Sequence, residues 1–192
     1  MTSTAGEVLT DNSVRVLLDP RVEQEDVEEA SLELLWLFLE ERPHTDSTPH
    51  EHVWLDELSE VYAHFVRDDL LGVSFLLLHG DDVPEAERAV RAVLPTVTLE
   101  EVVAALATAS DDTELVNALR FLAAALPVET PELVGLLTAT ARSGAVNARG
   151  AFVTAAAYLE WPRLLDEVAR LRDEDPDQGV RANAAIVLDA IA

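Results

Sequence analysis

The chain has 192 residues, of which 49% are hydrophobic, and this is enough for one folded domain with a substantial core. Its formal net charge is −24, with 37 acidic residues against 13 cationic residues that are all arginine. Such acidity argues against binding to nucleic-acid phosphates or to an anionic membrane. The absence of cysteine excludes disulfides, thiolate metal ligands and a cysteine nucleophile.

The first ten residues, 1–10, are small and polar, and we expect them to form a disordered tail. They contain neither the basic nor the apolar part of a signal peptide. The longest apolar run, Leu70 to Leu78, is far shorter than the roughly 20 residues that a membrane span needs. An Arg-, Ala- and Val-rich chain without lysine is typical of a GC-rich genome. We therefore expect a bacterial, cytoplasmic protein.

The first predicted elements are a short helix and a long one. Asn12 or Ser13 is placed to cap a helix that ends at Leu18, and the first long helix is predicted over Glu25–Arg42. The second half of the long helix, around Trp36, is apolar on nearly every side, whereas a helix wet on one side shows a stripe. It must be covered by neighbouring helices or by a second subunit, in which case the protein is a homodimer through this helix.

Residues 43–52 read as a loop, because they are rich in Pro, Thr, Ser and His. His50 and His52 lie in this segment, and imidazole is a competent metal ligand. The two residues flank Glu51 in a presumed loop, however, and the histidines show no helical i, i+4 pair. The interpretation is a polar loop that carries histidines, with no metal or cofactor expected and with these two as the weak metal candidates.

The rest of the chain reads as paired helices without sheet, because no segment shows sustained period-two alternation. Asp68 or Asp69 is placed to cap the third long helix, and Gly80 to end it. Five pairs result: Glu25–Arg42 with Val53–Val66, Asp69–Leu78 with Val83–Leu94, Leu99–Ala109 with Thr113–Leu126, Pro131–Arg142 with Val146–Leu159, and Pro162–Arg172 with Gln178–Ile191.

Four stretches of the chain share one plan and close on Leu94, Leu126, Leu159 and Ile191, at spacings of 32, 33 and 32 residues. Such a period is typical of stacked helical repeats. The last copy, from Asp175 to Ile191, has an acidic turn, a Val-Arg pair and an Ala-Ala pair, and it resembles a HEAT repeat. The resemblance covers roughly the C-terminal two-thirds of the chain.

The resemblance implies an all-α fold, a right-handed α-α superhelix of about five helix pairs. Residues 11–192 would form this single HEAT-like solenoid, with an atypical N-terminal pair over 25–66 and regular repeats over 68–192. Solenoids usually bind partners in their concave groove. The repeat columns place five residues there, Glu85, Arg88, Asn117, Arg120 and Asp189. Trp54 follows the loop and is interpreted either as an anchor for a partner or as a lid over the core.

These features predict a protein-interaction module that is not an enzyme and that binds a basic protein partner, such as a protein of the immunity or inhibitor type. The alternative is a HEAT-like small-molecule-binding protein or lyase with a pocket near the His-rich loop. A grooved surface without an enclosed pocket would favour the first function, and a pocket lined by His or Arg would favour the second. The sequence shows no Gly-rich phosphate loop and no nucleophile elbow.

Overall fold

The computed structural model describes residues 12–45 and 48–191, so the predicted tail at residues 1–10 lies outside the described part. The chain divides into two compact units, Met1–Thr98 and Leu99–Ala192, here called the sheet unit and the helical unit. Across the described residues, no helix combines the length and the apolar character that crossing a membrane requires.

The sheet unit contains a six-stranded sheet with the strand order β2-β3-β4-β5-β1-β6, and every neighbouring pair is antiparallel. Its elements are, in chain order, β1 (Ser13–Leu18), α1 (Gln24–Glu33), β2 (Leu37–Arg42), β3 (His50–Asp56), β4 (Val61–Asp68), β5 (Val73–Gly80), α2 (Val83–Val93) and β6 (Thr96–Val97). Strands β2 to β5 form a meander, and β1 joins it by pairing with β5.

The predicted all-α superhelix is therefore wrong. Strands occupy all or part of four predicted helices. The strand residues within them are 13–18 in the first, 37–42 in the second, 53–56 and 61–66 in the third, and 73–78 in the fourth. The reason lies in β4 and β5, the central strands, because side chains on both of their faces are buried. Strands that are dry on both faces lose the polar alternation that marks a half-exposed strand, and their apolar runs resemble buried helices.

One face of the sheet packs against α1 and α2. The strands contribute Val16, Trp54, Phe65 and Leu76 to this core, among other side chains. The two helices contribute Val27, Ala30, Val83, Ala86 and Val90. Val83, Ala86 and Val90 are buried, and their helix packs on strands β1 and β5 where the solenoid would have placed another helix.

The hairpin turns are stabilised by aspartates. Asp68 Oδ1 accepts hydrogen bonds from the backbone N–H groups of Leu70 and Leu71, at 3.0 and 2.9 Å. Gly72 then takes the left-handed conformation (φ 64°) that returns the chain into β5. Asp56 does the same between β3 and β4, where its carboxylate accepts from Leu58 and Ser59. These carboxylates act as helix caps do, which explains why the sequence predicts a helix starting at Asp68.

The first long helix ends much earlier than expected. Helix α1 stops at Glu33, and the Leu34 N–H donates to the carbonyl of Ala30 at 2.9 Å. Leu35 is left-handed (φ 58°), and the chain then enters β2. Trp36 is buried in the core of the sheet unit, within a helix-to-strand connection. Neighbouring helices do not cover the rest of this apolar segment as predicted, because Leu32, Leu35, Leu37, Phe38 and Leu39 are exposed.

The helical unit contains six helices, and these occupy the segments of the last three predicted pairs. They are α3 (Leu99–Thr108), α4 (Asp112–Ala125), α5 (Pro131–Ser143), α6 (Val146–Leu159), α7 (Pro162–Glu174) and α8 (Gln178–Ile191). Helix α6 contacts α4, α5, α7 and α8, and it is rich in buried alanine. Small side chains let several helices approach α6 closely, which makes it the centre of this unit.

A buried ion pair ties α6 to the turn between α7 and α8. Arg149 donates to both carboxylate oxygens of Asp175, from Nε at 2.7 Å and from Nη2 at 3.0 Å. Asp175 is 4% exposed, so its charge must be neutralised in place. Arg149 also donates from Nη1 to the carbonyl of Gly144 at 2.8 Å. Arg149 thus ties helix α6 to two connections of the helical unit, the one between α5 and α6 and the one between α7 and α8.

We expect Arg149→Ala to lower the free energy of unfolding by about 3–5 kcal/mol, because it leaves the buried Asp175 carboxylate without its cation. The matched control is Arg172→Ala, since Arg172 makes the same two-bond contact with Asp173 on the exposed surface. The control should change stability by less than about 1 kcal/mol. Urea unfolding followed by circular dichroism measures both, and equal losses would contradict a special role for the buried pair.

Asp175 also predicts a dependence of stability on acid. The hydrogen bonds from Arg149 lower the pKa of Asp175, the bond from the Asp177 N–H lowers it further, and burial opposes both. Because the folded pKa lies below the unfolded value of about 3.9, this stabilisation is present above pH 4 and is lost as the pH falls through the folded pKa. Urea unfolding should show that Asp175→Asn is less stable than the natural chain at pH 6 and that the difference narrows towards pH 3. A constant difference would contradict this assignment.

Candidate functional site

Strand β2 forms one end of the sheet and pairs with β3 alone among the described strands. Its outer row of backbone N–H and C=O groups is free of ladder partners in the part of the chain that the structure describes. The side chains around it are apolar and exposed. We call them the apolar edge: Leu32 (74% exposed), Leu35 (81%), Leu37 (49%), Phe38 (51%) and Leu39 (42%).

A β-bulge interrupts β2 at Leu39. Phe38 pairs with Trp54, but the next paired residue is Glu40, which lies opposite Val53. If Leu39 paired regularly with Val53, Glu40 would lie opposite His52; because Leu39 is bulged, Glu41 takes that place. Bulges are common beside functional sites because they redirect side chains. Here the bulge places the Glu41 carboxylate on the same face of the sheet as His52.

Glu41, His50 and His52 form a cluster in which one ligand atom from each lies within 4.8 Å of the others. His50 Nε2 donates to Glu41 Oε1 at 2.9 Å, and this hydrogen bond is the main reason that the pKa of Glu41 is lowered. His52 Nε2 lies 3.7 Å from the same carboxylate oxygen. His50 and His52 share a face because side chains two residues apart on a strand point the same way.

His52 is the buried member of the cluster, at 5% exposure. Neither of its ring nitrogens has a hydrogen-bond partner among the described residues. Nδ1 faces Glu28 Oε1 on α1 at 3.7 Å, beyond hydrogen-bond distance. The rings of Phe38 and Trp54 pack against the imidazole, with centroids 6.0 and 5.7 Å away.

The opposite face of the sheet carries a second polar chain. Glu51 Oε2 lies 3.4 Å from His64 Nδ1, and His64 Nε2 lies 2.9 Å from His79 Nε2. The His79 ring stacks on Tyr62 with centroids 5.2 Å apart. The hydrogen bond with His64 lowers the pKa of Glu51, and partial burial opposes that shift. His64 is 2% exposed, so this series of hydrogen-bonded side chains satisfies a polar group that is buried within the sheet unit.

The predicted groove residues lie in different units. Glu85 and Arg88 are on α2 in the sheet unit, where their exposed side chains form an i, i+3 ion pair. Asn117 and Arg120 are exposed on α4, and Asp189 is exposed on α8, all in the helical unit. The groove was built on equivalent positions of one continuous solenoid. Because that fold is wrong, their alignment along a single surface loses its basis.

Trp54 is 2% exposed, and its ring contacts Phe38 and His52. Of the two interpretations made from the sequence, the structure favours core packing over an exposed anchor. His50 and His52 are on strand β3, so the loop predicted over residues 43–52 ends at Pro49.

Glu41, which belongs to the histidine cluster, and Glu28, which lies beside it, were not predicted from the sequence. Both were placed on one long helix, which put Glu41 in its last turn. The signal that was available is the His-x-His spacing, since it brings two imidazoles together on a strand as i, i+4 spacing does on a helix.

Comparison with protein-family models, with curated proteins and with solved structures finds no match to this chain. The function is therefore argued from the apolar edge and from the histidine cluster.

We expect His64→Ala to lower the free energy of unfolding by about 1–3 kcal/mol, because it leaves a cavity and removes a hydrogen-bond partner from the buried polar chain. His44→Ala is the control: His44 is an exposed histidine that lies 3.5 Å from Asp69. Its loss should change stability by less than about 0.5 kcal/mol. Thermal or urea unfolding compares the stability of the two variants. An unchanged stability of His64→Ala would show that the hydrogen bonds between Glu51, His64 and His79 contribute little to folding.

Proposed function

We propose that this chain is a protein-interaction module that is not an enzyme, and that it uses the apolar edge to bind a basic protein partner. The observation that carries the proposal is the first half of an edge strand, Leu37 to Leu39, which no described strand pairs on its outer side and whose three side chains are all about half exposed. An open edge of this kind is a template for pairing with a strand of another chain.

The side chains support this use of the backbone. Natural edge strands are usually protected by charges, by proline, by a bulge or by their shortness. In β2 the charged residues occupy the second half, Glu40 to Arg42, and the bulge lies at Leu39, so the first half still presents three consecutive large apolar residues. Leu32, in the last turn of α1, and Leu35, in the connection to β2, extend this exposed apolar segment. Clustered apolar exposure of this kind typically marks a binding surface. A partner strand would satisfy the backbone groups and cover these side chains together.

The charge around the edge supports a basic partner. From Glu23 to Arg42 the sequence has eight acidic residues and a single cation, Arg42, whose guanidinium pairs with Glu40. These acids flank the apolar side chains in the sequence and are exposed, so a complementary surface would carry Lys or Arg beside an apolar strand. Complementary charge speeds association and rejects acidic competitors. An inhibitor or immunity protein that blocks a basic enzyme or toxin fits this description.

The double variant Leu37→Lys with Leu39→Lys tests the proposal. Lysine on an edge strand prevents pairing, and it also repels a basic partner. Using the tagged protein to capture partners from extracts of its host, we expect at least about tenfold less of the partner with this variant than with the natural chain. Capture by the natural chain should also fall as salt is raised.

The matched control is Val128→Lys with Ile186→Lys, which makes the same charge change at two exposed apolar residues of the helical unit. It should capture the partner as the natural chain does. Equal capture by the edge variant and the natural chain would refute the proposal. Light scattering of the purified natural chain identifies the other occupant of the edge: twice the mass of one chain, reduced to one by the edge variant, would assign the edge to a second copy.

A further inference from the structure

We propose that Glu41, His50 and His52 bind one divalent first-row transition-metal ion, Zn²⁺ in particular, with a coordination position left open to water. The proposal rests on the histidine cluster and is independent of the apolar edge as a partner site. The three ligand atoms converge from two adjacent strands: Glu41 Oε1 from β2, and one ring nitrogen each from His50 and His52 on β3.

The distances suit a small ion. Ligands at about 2.0–2.1 Å around a tetrahedral Zn²⁺ lie about 3.3 Å from one another. Glu41 Oε1 lies 2.9 Å from His50 Nε2 and 3.7 Å from His52 Nε2, one value on each side of that separation. Small side-chain rotations would therefore equalise the distances around an ion.

The second, independent observation is the state of His52. Its imidazole is 5% exposed, and both of its ring nitrogens lack a hydrogen-bond partner among the described residues. Leaving a buried polar group in this state costs about 1–3 kcal/mol. A metal ion bound to Nε2 would supply the partner that this nitrogen lacks, and Nε2 lies 3.7 Å from Glu41 Oε1. A hydrogen-bonded His50–Glu41 pair alone gives no reason for a buried, unsatisfied His52.

Glu28 completes the arrangement from α1. Its Oε1 lies 3.7 Å from His52 Nδ1, and its side chain is half exposed and can change rotamer. Histidine ligands usually donate their second ring N–H to a carboxylate, which fixes the tautomer and strengthens the metal bond. With Glu28 accepting from Nδ1, His52 presents the lone pair of Nε2 to the ion. Glu28 is thus a positioning residue and not a ligand.

The donor set selects the class of ion. Two imidazoles and one carboxylate favour Zn²⁺, Fe²⁺ and their neighbours, whereas Mg²⁺ and Ca²⁺ prefer oxygen ligands only. Three protein ligands leave at least one position for water, in contrast to the four-ligand closed sites of structural zinc. The solvent side of the cluster is formed by His50 and the exposed Glu41, which gives the ion a route of entry.

The test uses the untagged full chain, stripped of metal with EDTA and titrated with Zn²⁺ by calorimetry and with Co²⁺ by visible absorption. We expect one equivalent to bind in the presence of excess Mg²⁺. Nitrogen NMR of the histidine rings should show the His50 and His52 signals shifting on Zn²⁺ binding, with His44 and His79 unchanged. Glu41→Gln and His50→Ala should each weaken binding at least tenfold, and Glu28→Gln should weaken it by about 10–100-fold.

Glu40→Gln is the matched control, because Glu40 is the neighbouring exposed carboxylate on β2 and lies opposite Val53. It should bind Zn²⁺ as the natural chain does. Glu41 and His50 are at the surface, so their variants are expected to fold, and circular dichroism checks this. The proposal is overturned if the natural chain binds no Zn²⁺, if binding is weak, multiple and abolished by Mg²⁺ as on any acidic surface, or if Glu40→Gln weakens binding as much as Glu41→Gln.

Discussion

The burial of β4 and β5 on both faces is the constraint on which the sheet unit depends. Phe65 and Leu76 pair across these strands on the face that packs against the helices, while Val66 and Phe75 pair on the other face and are also buried. When both faces of a sheet are buried, both must be covered by other parts of the protein, and the unpaired backbone groups of the edge strands remain a separate problem. The histidine cluster and the apolar edge both lie at the β2–β3 end.

The same constraint explains which part of the fold the sequence could predict. In the helical unit, α4 is capped by Asp111, α5 is capped by Thr130 and begins with Pro131, and α7 begins with Pro162, and such local signals indicated helices there. The strands have no comparable local signal. An apolar run such as the one in β5 fits a buried strand and a buried helix equally well, and only its partners decide between them.

The repeat pattern also misled for a physical reason. The first of the four repeat copies, which ends at Leu94, contains α2, an amphipathic helix that resembles the later copies in its apolar pattern. Its stripe of Val83, Ala86 and Val90 is complementary to any flat apolar surface, and in this chain that surface is a sheet. An amphipathic helix specifies that it must be covered but not by what. The segments of the last three predicted pairs pack on helices, whereas the helices within the first two predicted pairs pack on strands.

The candidate site was only half visible in the sequence. His50 and His52 are close in sequence, but the oxygen that joins them comes from a different strand, and its position depends on the bulge at Leu39. No local pattern in Leu37–Arg42 distinguishes Glu40 from Glu41. Pairing register is a long-range property, and it decided which of two adjacent glutamates meets the imidazoles.

That bulge has an evolutionary consequence. The side chain presented to His52 is set by the number of residues in the first half of β2. Losing the codon of Leu39 would remove the bulge and leave Glu41 opposite His52. Losing a second codon would bring Arg42 into that position and replace a negative charge by a positive one. The extra residue of the bulge thus lets β2 lose one residue without losing the carboxylate at the cluster.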